Sequence, residues 1–154
     1  MMKWVDQFCK EAKDKGINCE VINRVNGWTE TIITYGKRCF TKSITFNPSQ
    51  ELYFSGVDTK KLNEKGDFVL LCCGLGNKLC DIFLIPWEEF FQTLNEGEPV
   101  NTYKLPKVYL QYKFKIKNNG KKWLMIVQGG RNPRVDISAW RFEIDEAFKY
   151  LKLS

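Results

Sequence analysis

The chain contains no histidine. That absence removes serine–histidine and cysteine–histidine nucleophile pairs and leaves any proton transfer to carboxylates, lysine or tyrosine. The six cysteines (Cys9, Cys19, Cys39, Cys72, Cys73 and Cys80) include no Cys-x-x-Cys pair. A zinc centre would need scattered thiolates and carboxylates, so no metal and no cofactor is expected. Long apolar runs are missing too. None approaches the ~18–20 residues that cross a bilayer, and no signal-peptide pattern follows Met1-Met2-Lys3-Trp4. The expectation is a cytoplasmic protein with reduced thiols in its apolar runs and no membrane partner. Phosphate-gripping loops are also lacking. Gly74-Leu75-Gly76-Asn77-Lys78 does not have the P-loop spacing and is not followed by a helix, so it reads as a hairpin turn. No repeat, linker or low-complexity stretch is visible.

What is present suits one domain over residues 1–154, of a kind that can form the N-terminal part of a larger protein. Hydrophobic residues make up 44% and charged residues 27%, which is ordinary for a globular chain. The net charge is +6, which favours an anionic partner without naming it.

Periodicity supplies the elements. Trp4, Val5, Phe8, Cys9 and Ala12 recur at helical steps, and Gly16 ends that helix. Strands are expected at 17–25, 28–35, 39–46 and 52–57, with a turn at Asn26-Gly27. Asp58 or Thr59 caps a helical turn. Residues 67–73 are continuously apolar, as in a central strand covered on both faces, and 79–85 is its hairpin partner. Pro86 opens a helix with Trp87, Phe90, Phe91 and Leu94 on one side. Residues 95–105 read as a polar loop. Asp136 or Ser138 caps a last helix with Ile137, Trp140, Ile144, Phe148 and Leu151 inward. The fold class expected is α+β, mainly antiparallel β, as a small pseudobarrel with helices at its ends. No strand is followed by a long crossover helix, which disfavours a doubly wound sheet.

The most informative stretch is 107–128. Val108, Leu110, Tyr112, Phe114 and Ile116 alternate with Lys107, Tyr109, Gln111, Lys113, Lys115 and Lys117, so one strand face meets a core and the other meets water. Asn119-Gly120 turns the chain, and Lys121 and Lys122 follow. Lys113, Lys115, Lys117, Lys121 and Lys122 are candidate phosphate contacts. Arg131, Asn132 and Arg134 in the next loop are candidate base readers, because arginine reads guanine bidentately and asparagine reads adenine. Arg24, Asn26 and Trp28 near one turn, Lys37 and Arg38 near the next, and Asn77 and Lys78 complete the candidate DNA-binding set. A plainer account of the lysines is a solvated face, or protection of an open sheet edge.

Asp81 on one strand with Gln111 and Lys113 on a later one is similar to the PD-(D/E)XK metal nucleases, an alternative in which these residues hold a divalent ion and stabilise charge. The opening helix, the run Gly66-Asp67-Phe68-Val69-Leu70, the run Asp81-Ile82-Phe83-Leu84-Ile85-Pro86-Trp87 and the closing helix together resemble the DNA-binding pseudobarrel of the B-three superfamily. That resemblance implies sequence-specific grip on double-stranded DNA by two strand-and-loop arms. One arm would fall at Arg24, Asn26 and Trp28 or at Lys37 and Arg38, the other among later hairpins with Asn77 and Lys78. It further implies a non-catalytic targeting domain of a restriction-modification system, McrBC-like, working with a nucleotide-hydrolysing motor or a nuclease subunit. A related alternative is a PUA-like barrel that reads a modified base in an aromatic pocket.

Overall fold

A computed structural model describes residues 4–23 and 31–154. Among them the chain forms three helices and eleven strands. Helix α1 (Trp4–Asp14) precedes β1 (Cys19–Asn23), β2 (Thr31–Thr34), β3 (Lys37–Asn47) and β4 (Leu52–Asp58). Then come β5 (Phe68–Leu75), β6 (Lys78–Pro86), α2 (Trp87–Asn95), β7 (Val100–Lys104), β8 (Lys107–Asn118) and β9 (Trp123–Val127). Strands β10 (Arg134–Asp136) and β11 (Arg141–Phe142) lead into α3 (Ile144–Leu153).

The strands make one curled half-barrel in the order β10-β9-β8-β4-β3-β5-β6-β11, with β1 and β2 added beside β3 and β7 beside β8. The α+β expectation holds. The pairing is mixed, however, because β3 and β5 run parallel, from Cys39 opposite Phe68 to Thr45 opposite Gly74. Strand β4 and the 3-10 turn Thr59–Asn63 supply the return connection, and Asp58 caps that turn by accepting from the Lys60 N–H at 2.9 Å.

Strand β5 is buried from Phe68 to Gly74, which explains its unbroken apolar sequence. Val69, Leu71 and Cys73 face the barrel interior with Phe40, Phe83, Phe90, Phe114 and Ile116. Leu70 and Cys72 face the other way, against Trp4, Phe8 and Ala12 of α1 and Phe148 and Leu151 of α3. Helix α2 closes the interior with Trp87, Phe90 and Leu94. Burial pushes the Cys39 thiol up to about 12 and holds Cys72 and Cys73 well above the usual thiol range. Cys80 is exposed, so the thiols are not uniformly buried.

Three expectations need correction. Residues 100–104 form β7, paired with 107–111 as a hairpin, and are not a loop. The last helix begins at Ile144 and not near Asp136, because Ile137 and Trp140 are used to return the chain from β9 to β6: Ile137 donates to the Trp123 carbonyl at 2.9 Å and Arg141 pairs with Phe83. Gly74 lies inside β5 and not in the turn. The Trp4 indole occupies the space a Cβ at Gly74 would take. Gly74→Ala should therefore displace α1, lower stability by about 2 kcal/mol in urea melts and shift the tryptophan emission of the native protein.

Candidate nucleic-acid interface

Strand β8 carries the cation row. On its outward side Lys115 pairs with Ile126 of β9 and Phe54 of β4, Lys117 with Leu124, and Lys113 with Gly56. Arg134 of β10 sits across Ile126, so Arg134, Ile126, Lys115 and Phe54 lie in one line across four strands. Phe54 is 44% exposed, an aromatic face set among ammonium groups. Lys113, Lys115, Lys117, Arg131 and Arg134 make no ion pair with a described residue. At the β8–β9 turn the side chain of Asn119 accepts from the backbone of Lys121 and Lys122 at 3.0 and 2.8 Å, leaving both lysines exposed at its tip. Lys122 reaches Asp136 at 3.9 Å. Asp136 stays below the ordinary carboxylate range because the Ser138 hydroxyl and N–H stabilise its charge.

The other candidates disperse. Arg24, Asn26 and Trp28 lie outside the described residues. Arg38 is engaged: its guanidinium pairs with Glu64 at 2.6 Å and its N–H donates to Asp67 at 2.9 Å. Strands β3, β5 and β8 point the same way by register. Lys37 and Arg38 therefore sit at the opposite end from the β5–β6 turn of Asn77 and Lys78 and the β8–β9 turn. Asn77 and Lys78 border a groove of about 650 Å3 that also holds Lys10, Lys15, Glu11, Asp14, Glu143 and Asp145. Mixed charge, with Lys15 paired to Asp145 at 2.7 Å, makes that groove a poor polyanion site. Asn132 closes its own loop, its side-chain oxygen accepting from Gly129 N–H at 2.9 Å. Trp87 and Phe91 line a shallow recess of about 220 Å3, whose lining residues Lys65 and Glu88 pair with one another.

The metal-nuclease triad is not assembled. Asp81 points into the barrel, accepting from the Tyr53 hydroxyl at 2.6 Å and from Arg141 Nε at 2.8 Å. Gln111 and Lys113 are in register with Asp58 and Gly56 on the outward phase of β8. The strand wall separates the carboxylate from the other two.

Sequence reasoning missed Lys42. It shares the inward phase of β3 with Phe40 and Ile44, and is half-buried there. The signal was legible: a lysine at a core position of an alternating strand. Burial, with help from the Lys104 charge and against the pull of Asp58, pushes its amine down to about 8.

No protein-family model, no curated protein and no solved structure matches the chain.

Two outcomes are expected. Asp81→Ala strips the Tyr53 hydroxyl and the Arg141 guanidinium of their shared acceptor, and should cost about 3 kcal/mol in urea melts. For Lys42, the unfolded chain keeps its proton up to the ordinary 10.5, while the folded protein releases it near 8. The folded state binds fewer protons between those values, so stability rises with pH through that window. Lys42→Met should raise stability at pH 7 by about 1–3 kcal/mol, and the gain should shrink as melts are repeated toward pH 10.

Proposed function

We propose that this chain is a non-catalytic double-stranded DNA-binding domain that seats a duplex on the outward face of β8 and its neighbours. One observation carries this reading. The middle of β8 is paired on both sides, to β4 over Gln111–Ile116 along one edge and to β7 up to Gln111 and β9 from Phe114 along the other, with the Gln128 N–H donating to the Lys113 carbonyl between them. Lys113 and Lys115 therefore do not protect an open edge, which removes for them the commonest structural reason for lysine in a strand. From Lys107 to Lys117 the outward positions hold four lysines, a tyrosine and a glutamine, and no acid. The acids of this face stand at its margins, Asp58 beside Gln111 and Asp136 across Leu124 from Lys117.

Lys113, Lys115 and Lys117 set the protein on phosphates, and Arg134 extends the row across the sheet. Phosphate contacts give affinity and register; base readers must come from turns at the edge of this face. Arg131, in the connection before β10, is the candidate for that role, whereas Glu64 already holds Arg38. The curled sheet, with α2 closing its interior, supports the B-three-like reading in architecture, although α1 and α3 pack on the outer side of β5 and not at the barrel ends. Targeting for a restriction system, beside a motor or nuclease subunit, rests on that resemblance.

Filter binding across a salt series tests the reading. The wild-type affinity should fall steeply with salt, and replacing Lys113, Lys115 and Lys117 with glutamine should lower the log–log slope by about 2–3 at unchanged thermal stability. An unchanged slope removes β8 from the interface.

A further inference from the structure

We propose that the β7–β8 hairpin is a duplex-kinking arm whose Leu105–Pro106 tip enters between base pairs while Lys104 and Lys107 hold the flanking phosphates. This rests on the duplex-binding reading and adds what the arm does there.

The alternation of β8 continues past the core. Phe114 and Ile116 are fully buried, but Leu110 is 45% exposed and Val108 54%. Tyr103, opposite Val108, is 69% exposed, and Leu105 at the tip is 88% exposed. The hairpin thus carries the inner apolar face of the barrel out into water. Its other face holds Lys104 opposite Lys107 and Thr102 opposite Tyr109, and runs on into the row of Lys113, Lys115 and Lys117. The tip is Lys104-Leu105-Pro106-Lys107, two apolar residues between two cations.

A partner for this surface must offer apolar area a few ångströms from negative charge. A base stack between phosphate rows does so, and proteins that kink DNA insert leucine or proline in this way. A lipid surface also combines anions with apolar depth. It would engage the tip alone, however, and leave the convex cation row in water. A duplex can lie along the whole row: Lys107 to Lys117 spans about 34 Å of extended strand, close to one turn of B-DNA. Charge and shape along β8 therefore favour a duplex.

The experiment uses a 30-base-pair duplex, dye-labelled at both ends, with 2-aminopurine at its deformable TA steps. Binding of the wild-type chain should raise energy transfer between the ends and raise 2-aminopurine emission. Leu105 is exposed, so Leu105→Ala should melt like wild type, bind within about threefold of it, and lose both signals. Replacing Lys104 and Lys107 together with glutamine should instead lower the salt slope by about 2. A duplex that binds but stays straight and stacked overturns the wedge and leaves the duplex-binding reading standing. No binding to any duplex overturns both. A DNA-free dimer dissolved by Leu105→Ala, or binding to anionic vesicles that Leu105→Ala ends, assigns the arm to another partner and overturns the proposal.

Discussion

Side chains leave a strand alternately to its two faces, and here a wall one residue thick separates chemistry that the sequence interleaves. Phe114 and Ile116 are fully buried, while Lys113, Lys115 and Lys117 stand on the other side of the same strand. The same alternation sends Asp81 inward and Gln111 outward. Adjacent residues thus serve unrelated purposes, and residues 28 apart cooperate. Tyr53 and Asp81 meet inside the barrel because β4 and β6 both present these positions to its interior.

That interior contact also explains how an open sheet holds its curl. Asp81 receives Arg141 of β11, whose guanidinium lies 5.9 Å from the centre of the Trp123 ring. Trp123 packs on Tyr53 and Phe83 at ring distances of 6.3 and 5.3 Å. One charge pair, largely withdrawn from water and joined to an aromatic stack, therefore ties β4, β6 and β9 together. Its worth lies less in attraction than in what its loss exposes, a buried group without a partner.

Much of the fold was legible wherever one strong period ran alone. The opening helix, the doubly covered β5, the turn at Gly120 and the helix after Pro86 follow from spacing and turn chemistry. What failed were segments whose partner decides the outcome. Val100–Lys104 has no alternation worth reading, and becomes a strand only because β8 extends beyond the core to pair with it. Ile137 and Trp140 have helical spacing with Ile144, but the chain there must cross from one sheet edge to the other, and the helix waits until Ile144. The candidate site was half legible. Alternation placed the lysine row correctly, yet it also promised Val108 and Leu110 to a core that ends before reaching them. Composition marked Arg38 and Asn132 as DNA contacts; hydrogen bonding spends Arg38 on Glu64 and Asp67, and Asn132 within its own loop.

Magnitudes separate the cations that cost the fold something from those that do not. Lysines at alternate positions of β8 lie roughly 7 Å apart along the strand, where two unit charges in water repel by only about 0.6 kcal/mol before salt screens them further. A core sealed on both faces of β5 carries that repulsion with ease, so the fold can keep the row with acids only at its margins, Asp58 and Asp136. Lys42 is different. Its ammonium is partly withdrawn from water among apolar neighbours, and the Lys104 charge adds to the burden. Desolvation, not repulsion, dominates there, and nothing among the described residues neutralises it by an ion pair. Stability alone would favour an apolar residue between Phe40 and Ile44. A lysine held there, within reach of the Lys104 charge, therefore costs stability that no described ion pair returns.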